Sequence, residues 1–455
     1  MSVVAPASRP AAAVNPILSA PILPTILRLS VPNLMAMVAT GAVAVAETAY
    51  VGALGTPALA GMALVFPLAM LMQMLSAGAM GGGVSSAVSR ALGAGDLDRA
   101  RSLAFHTVLI ALAGGLSVSA LFILAGPALY RVLGGQGDAL GEALIYSNTL
   151  FAGALAVWLC NLTASIVRGM GIMHVPSATL LAVAALQVVA GGGLGLGLGP
   201  LPRLGMTGVA LGQIIAYGAG ATFLFWYLRA GRGRFALPLS GIPLRRDHFT
   251  DILRVGAVAG LSSIQSVLTV LVLTALVARF GEEALAGYGI GTRIEFLLIP
   301  ITFAVGVALV PMVGMAIGAG QIARARAAAW TGGLLAFAIT GGIGLVAWFL
   351  PDQWARLFTD NPRVVEATRS YLTWAGPTFG FYGLGLCLYF AAQGSGRVIG
   401  PVLAGTARLA VIILGGWWLA ATGAPASAMF ALVGAAMVVY GLSTALAIRL
   451  SPWGR

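Results

Sequence analysis

The 455-residue chain contains no lysine and few charged residues of any kind, which excludes several classes of protein. Without lysine it can hold neither a P-loop of the GxxxxGK[ST] type nor a Schiff-base lysine, so a nucleotide-driven motor of that kind is excluded. Charged residues make up 8% of the chain, against about 25% in a typical soluble domain. Water cannot solvate such a surface, so most of it must face lipid.

Cysteine and histidine are also scarce. Cys160 and Cys387 lie inside apolar segments, where we expect reduced packing residues without a disulfide or a metal. His106, His174 and His248 are scattered along the chain, so the sequence predicts no metal cluster and no cofactor. No paired acids, histidine cluster or nucleophile triad is visible, and we predict that the chain is not an enzyme.

Long apolar runs fill the space that charges leave. Hydrophobic residues make up 59% of the chain, in continuous runs of the roughly 20 residues that a helix needs to cross a bilayer. The runs lack the alternation of a β-barrel, which favours helices. We predict an all-α membrane protein with twelve transmembrane helices, at residues 25–51, 59–82, 101–125, 142–167, 176–198, 206–228, 251–278, 285–312, 327–350, 367–391, 398–420 and 425–449.

One polar connection, residues 229–250, is longer than the others and divides the twelve segments into two sets of six. It predicts an N-terminal six-helix lobe over residues 25–228 and a C-terminal six-helix lobe over residues 251–449. Residues 1–24 and 450–455 are predicted to be cytoplasmic tails, and residues 229–250 a cytoplasmic linker.

A basic turn is written twice. "LGAGDLDRAR" at residues 92–101 and "IGAGQIARAR" at residues 317–326 are identical at six positions of ten, and other matches recur 225 or 226 residues apart: "ALAG" at 58–61 and 284–287, Gly169 with Gly394, Gly171 with Gly396, and Pro176 with Pro401. Six segments separate the copies, so both turns lie on one membrane face. The halves are therefore predicted to be two parallel six-helix bundles, related by a pseudo-twofold axis along the membrane normal.

The arginines are unevenly distributed over the predicted loops. One face collects 17 of the 25, the other collects 6, and Arg293 and Arg408 fall inside segments. The positive-inside rule then places both termini in the cytoplasm. Because the arginines sit in short loops between apolar runs, we expect the lipid bilayer as the partner and no nucleic acid.

Two acids lie inside predicted spans. Glu47 belongs to the first segment and Glu295 to the eighth. An ionisable group at such depth costs roughly 2.5–3.5 kcal/mol, which makes it a functional candidate. We predict that both carboxyl groups couple transport to a cation, by proton uptake or Na⁺ ligation. The alternative is a structural ion pair, for instance with Arg293, although residues i and i+2 do not face each other on a helix.

Neutral polar groups accompany these acids, and most such groups hydrogen-bond across membrane helices. The alternative role is to line a substrate cavity. Arg408 is expected to be a structural partner or to extend toward the membrane surface. The candidates for a substrate cavity are Gln73, Asn161, Gln187, Gln265, Tyr288, Arg293 and Tyr382.

Several strings resemble the multidrug and toxic compound extrusion (MATE) family. They are "AETAYVGALGTPALAGMAL", "IVRGMGIMHVP", "LGMTGVALGQIIAYG" and the G-A-G turn that follows segments 2 and 8. The resemblance covers most of both halves. It implies two six-helix bundles around a central cavity, in the bacterial inner membrane. It also implies export of bulky, mostly cationic amphiphiles in exchange for Na⁺ or H⁺, and we expect a monomer that uses no nucleotide.

The family's acidic positions are only partly present. The segment-1 acid falls on Glu47, whereas the N-x-x-x-D pattern of segment 5 falls on Gln187 and Gly191. The segment-7 acid of some members falls on Ser266, and Tyr382 lies near the place of the segment-10 acid. A Na⁺ site built from several carboxylates is therefore not supported, which favours H⁺. A flippase for a lipid-linked or amphiphilic substrate is the alternative, and it would favour additional spans and a strongly cationic cavity.

Overall fold

The computed structural model describes residues 16–238 and 240–453, and the described chain is helical throughout apart from short connections. Most of the predicted N-terminal tail, residues 1–15, and the end of the predicted C-terminal tail, residues 454–455, lie outside the described residues. The first half comprises α1 (Pro16–Ser19), α2 (Ile22–Gly52), α3 (Thr56–Gln73), a π-helical turn (Met74–Met80), α4 (Gly81–Gly93), α5 (Leu97–Val132), α6 (Gly137–Ala152), α7 (Ala154–Gly169), α8 (His174–Leu196) and α9 (Gly205–Arg229).

The second half repeats this order without the π-helical turn. It comprises α10 (Arg246–Ala278), α11 (Glu282–Gly318), α12 (Ile322–Phe349), α13 (Pro351–Arg356), α14 (Pro362–Ala375), a 3₁₀ turn (Gly376–Thr378), α15 (Phe379–Ser395), α16 (Ile399–Ala421) and α17 (Ala426–Leu450).

Each of the twelve predicted segments coincides with a helix or a consecutive group of helices. Within the described residues, ten helices, counting the run through the π-helical turn as one, are long and apolar enough to cross a membrane. The pair α6 and α7 forms an eleventh, bent by 46°. The tenth predicted segment is the run from α14 through the 3₁₀ turn into α15. The predicted all-helical, multi-span membrane fold is confirmed.

The helices extend beyond the apolar segments that predicted them. The third segment was bounded at residues 101–125, whereas α5 runs from Leu97 to Val132. Its start is set by Asp96, whose side chain accepts a hydrogen bond from the backbone N–H of Arg99. A helix can continue past the hydrocarbon as long as its backbone groups stay paired, so hydropathy alone underestimates its length.

The duplicated basic turn folds identically in both copies. Gly95 and Gly320 end their turns with φ of +74° and +73°, a left-handed conformation that glycine adopts without a steric penalty. The backbone N–H of Asp96 donates to Ala91 at 3.0 Å, and that of Gln321 donates to Ala316 at 2.8 Å. The same cap recurs 225 residues apart, so the sequence repeat is a structural repeat.

The two halves meet along α4 and α11 at the end of the helices that carries both basic turns, called here the basic-turn end. A Cβ on Gly93 would overlap the backbone of Met315, and a Cβ on Gly318 would overlap the carbonyl of Arg90. Because these two contacts exchange under the 225-residue offset, the interface is itself pseudo-symmetric. Close packing of small residues is what lets the two helices approach.

Candidate functional site

Glu47 lies buried on α2, five residues before the helix ends at Gly52. Its carboxylate Oε1 accepts a hydrogen bond of 2.7 Å from the Nε2 of Gln187 on α8. The same amide lies 3.5 Å from the Oε1 of Gln213 on α9, and both glutamines are buried. Helices α2, α8 and α9 therefore hold one carboxyl group through a chain of amides, and no arginine contacts it among the described residues.

Tyr50 completes the surroundings of Glu47 on the same helix, one turn further along. Its hydroxyl is buried close to Glu47, without a hydrogen bond of normal geometry. A Cβ on Gly191 would lie 2.9 Å from this hydroxyl. The space that a second carboxylate would need at position 191 is thus occupied by the phenol of Tyr50, in agreement with the missing acid noted in the sequence.

A second polar network lies in the same half, around the π-helical turn. Asn161 on α7 donates from its Nδ2 to Oε1 of Gln73 at 3.0 Å and to Oγ of Ser76 at 2.9 Å. Gln73 in turn donates to the hydroxyl of Tyr217 at 2.8 Å. A π-helical turn rotates the residues that follow it, and such turns are frequent at functional sites. Here the turn directs Ser76 toward Asn161.

The second half holds Glu295 on α11. The hydroxyl of Tyr371 on α14 donates a hydrogen bond to Oε1 of Glu295. The ring of Tyr288 lies edge-on to that of Tyr371, with centroids 5.4 Å apart. Glu295 is partly buried and forms no ion pair at 4 Å or less with any described arginine.

Arg408 on α16 is the fixed positive charge of this region. Its guanidinium carbon lies 5.2 Å from the ring centroid of Tyr382 and 5.7 Å from that of Tyr440. It borders a cavity of about 30 Å³, in which its Nε and Oε1 of Gln265 are buried without a hydrogen-bond partner. The cavity is lined by Ser262, Gln265, Ser266, Thr269, Tyr382, Leu386, Gly405, Arg408 and Tyr440.

Arg293 lies apart from these groups. Its side chain is exposed, and its guanidinium carbon lies 4.6 Å from the ring centroid of Phe358. The structure therefore does not pair Arg293 with Glu295, as the i, i+2 spacing predicts. Of the other cavity candidates, Gln187 contacts Glu47, Gln73 and Asn161 contact each other, Gln265 and Tyr382 line the cavity at Arg408, and Tyr288 packs on the tyrosine that binds Glu295.

Sequence reasoning missed the tyrosines that accompany the acids. Tyr146 on α6 is buried within the electrostatic reach of Glu47, and Tyr371 binds Glu295. The two tyrosines are 225 residues apart, the offset of the repeat, so superposing the halves would have found them. The described residues contain no group of three or more His, Cys, Asp or Glu side chains able to hold a metal ion. Each half thus offers one carboxyl group that can take up a cation alone.

Comparison with known proteins places the chain among membrane transporters. The MatE family model matches twice, at residues 32–191 and 259–418. The chain is 25% identical to the FAD transporter of Shewanella oneidensis over 88% of each chain, and 24% identical to the probable multidrug resistance protein NorM of Thermotoga maritima over 83% of this chain and 81% of that protein.

Solved structures show the same fold. A MOP superfamily transporter from Pyrococcus furiosus, whose title describes a binding pocket of reverse polarity, has a TM-score of 0.87 at 23% identity, covering 96% of this chain and 97% of that one. A multidrug resistance MATE family transporter in an outward-facing conformation has a TM-score of 0.82 at 23% identity, covering 95% and 94%.

Proposed function

Because the chain belongs to the MATE family of transporters, we propose that it exports small cationic amphiphiles from the cytoplasm in exchange for protons. The observation that carries this proposal is the setting of Glu47, a single buried carboxyl group held by amides and phenols and without an arginine partner. A carboxyl group in such surroundings can hold one cation at a time, either a proton or the positive end of a substrate.

The ligands around Glu47 support a proton in preference to Na⁺. A hard metal cation needs several oxygen ligands arranged around it. Gln187 turns its Nε2, a donor, toward the carboxylate, and position 191 is a glycine. A proton needs only the carboxylate itself, so the missing second acid is no obstacle to proton coupling.

Competition for one negative site is enough for antiport. If the protonated carboxyl favours one arrangement of the bundles and the substrate-bound carboxylate the other, each ligand shifts the population toward its own arrangement. Substrate leaves when a proton takes its place. Glu295 offers the second half a comparable group, bonded to Tyr371.

The contacts between the halves support alternating access. Asp251 on α10 accepts from Arg90 at 2.5 Å and from Arg99 at 2.9 Å, and Ser86 donates to the carbonyls of Gln393 and Gly394. These bonds gather at the basic-turn end, which the arginine distribution predicts to be cytoplasmic. We infer that they hold a cytoplasm-closed arrangement, and that uptake of substrate requires their release.

A second candidate is a substrate that also carries an anionic group. Arg408 and the hydroxyl-rich cavity beside it provide donors and a positive charge, and one relative of similar length is an FAD transporter. In this variant of the proposal the cationic or neutral part of the substrate lies toward Glu47 and the anionic part toward Arg408.

Transport in proteoliposomes tests the proposal, with a pH gradient and a Na⁺ gradient imposed one at a time. We expect the pH gradient alone to drive uptake of ethidium, and Glu47→Gln to abolish it because an amide cannot exchange a proton. Glu295→Gln is expected to reduce the rate. Glu282→Gln is the matched control, since Glu282 is an exposed acid at the start of the helix that carries Glu295.

Three outcomes would contradict parts of the proposal. Transport driven only by Na⁺ would exclude proton coupling. Unchanged transport in both glutamine variants would exclude the two acids as coupling groups. Transport of FAD but not of ethidium, lost in Arg408→Gln, would replace the cationic substrate with the anionic one.

A further inference from the structure

A large cavity opens at the basic-turn end, away from Glu47, Glu295 and the cavity at Arg408. Its volume is about 620 Å³, and its walls come from both halves of the chain. The first half contributes Arg90 from α4, and the second contributes parts of α10, α16 and α17 and the connection between α15 and α16. The cavity is large enough for a phosphoryl group with its glycerol.

The cavity is strongly basic. Arg90, Arg254 and Arg397 line it, and Asp251 is the one acid among the described lining residues. Asp251 is already engaged, because it accepts from Arg90 and also from Arg99. Arg254 is exposed and makes no hydrogen bond or ion pair with the described residues, so its charge is available to a ligand.

Backbone donors add to the positive charge. Helix α16 begins in the wall of the cavity, and its N-cap residue Val398 provides no side-chain cap. The N–H groups of Ile399 and Gly400 in the first turn have no partner within the helix, which gives this end of a 23-residue helix a partial positive charge. Helix ends of this kind bind phosphate oxygens when basic side chains stand beside them.

The surface beside the cavity is apolar and exposed. Ile399 and Leu403 follow each other at i, i+4 on α16, and Leu446 and Leu450 do so on α17. Both pairs start at the cavity and continue along the helices toward the middle of the membrane-spanning region. A ligand that fits both features has a phosphorylated head for the cavity and hydrocarbon chains for the two helices.

We propose that this cavity binds the headgroup of an acidic phospholipid, with the phosphoryl oxygens at Arg254 and the start of α16 and the acyl chains along α16 and α17. Basic pockets between helices at the cytoplasmic face are suited to such headgroups. Since Arg90 and Asp251 join the two halves at this cavity, a bound headgroup contacts the closed arrangement directly. Lipid composition then influences how readily the basic-turn end opens.

Native mass spectrometry of the detergent-purified protein, titrated with dioleoylphosphatidylglycerol or dioleoylphosphatidylcholine, tests the proposal. We expect one retained phosphatidylglycerol and no comparable retention of phosphatidylcholine. Arg254→Gln is expected to weaken phosphatidylglycerol binding about fivefold, the effect of about one arginine near an acidic lipid surface. Arg254→Lys should keep most of the affinity.

Arg28→Gln is the matched control, because Arg28 is an exposed arginine of α2 near the same end of the molecule but outside the cavity. Equal weakening in both glutamine variants would overturn the proposal, because it would show a diffuse charge effect. Equal binding of glycerol phosphate and the lipid would overturn the lipid assignment. The unfolding temperature without lipid is expected to be the same in all three variants, since Arg254 bonds to no described residue.

Discussion

At the scale of single residues, the two halves carry one carboxyl group each, in different surroundings. Glu47 is bonded to the amide of Gln187, whereas Glu295 is bonded to the hydroxyl of Tyr371. Only the second half adds a fixed positive charge, Arg408, to the same cluster of tyrosines. The repeat therefore conserves the fold more closely than the polar chemistry, and we expect the two acids to contribute unequally to coupling.

Tyr371→Phe tests the role of the bond to Glu295. The ring of Tyr371 is fully buried, so phenylalanine keeps the packing and removes only the hydroxyl donor. A hydrogen bond to a charged group contributes about 1.5–3 kcal/mol, and we expect proton-driven efflux to slow roughly tenfold. Initial rates in proteoliposomes at several pH values provide the measurement.

The control for this variant is Tyr130→Phe. Tyr130 is also fully buried, but its hydroxyl has no hydrogen bond of normal geometry, so we expect its removal to leave efflux unchanged. A Tyr371→Phe protein with the rate and pH profile of the wild type would show that the hydroxyl only fills space.

At the scale of elements, the interface of α4 with α11 depends on glycine. The close approaches at Gly93 and Gly318 exchange under the repeat offset, so the same helix crossing is used from both sides. Sequence could point to these glycines, because both lie inside the duplicated turn. That they face each other's helix, and not their own bundle, follows only from the folded arrangement.

Gly318→Ala should weaken this crossing. The added methyl group would overlap the carbonyl of Arg90, and overpacking of this kind costs about 1–3 kcal/mol. We expect a lower unfolding temperature and easier opening of the basic-turn end. Gly342→Ala on α12 is the control, because no atom lies within 4 Å of its added Cβ, and alanine in place of a helical glycine is otherwise favourable. Equal thermal stability of the two variants would contradict the packing argument.

At the scale of the whole molecule, hydrogen bonds between the halves gather at one end. Asp251 bonds to Arg90 and Arg99, His248 to Ser102, and the ring of His106 accepts from the backbone N–H of Arg245. Partly exposed ion pairs stabilise a structure by about 0–1 kcal/mol each. They are thus weak enough to break in each transport cycle and numerous enough to favour the closed end.

Asp251→Asn tests whether these bonds set the balance between arrangements. The variant removes the charge that two arginines of the first half share. We expect little change in unfolding temperature but a larger population with the basic-turn end open. Distances between spin labels at positions 94 and 321 measure that population.

Asp98→Asn serves as its control, because Asp98 pairs only with Arg101 on its own helix. Identical distance distributions for the two variants would show that the bonds of Asp251 do not hold the halves together.

The sequence by itself determined the class of the molecule and its internal symmetry. Low charge and long apolar runs leave only a helical membrane protein, because lipid requires every backbone polar group to be paired within its own segment. The 225-residue offset identifies the two halves, and the family's segment-1 acid leads to Glu47. These properties depend on composition, periodicity and spacing, which a linear chain already contains.

Only the tertiary structure decided which side chains meet. Gln187 reaches Glu47 from a helix 140 residues away, Tyr50 occupies the place of the absent second acid, and the basic cavity exists only where segments of both halves converge. Such contacts depend on the rotation and crossing of packed helices. Apolar residues surround most of these helices, so hydropathy leaves their rotation undetermined, and close packing of glycines and tyrosines sets it.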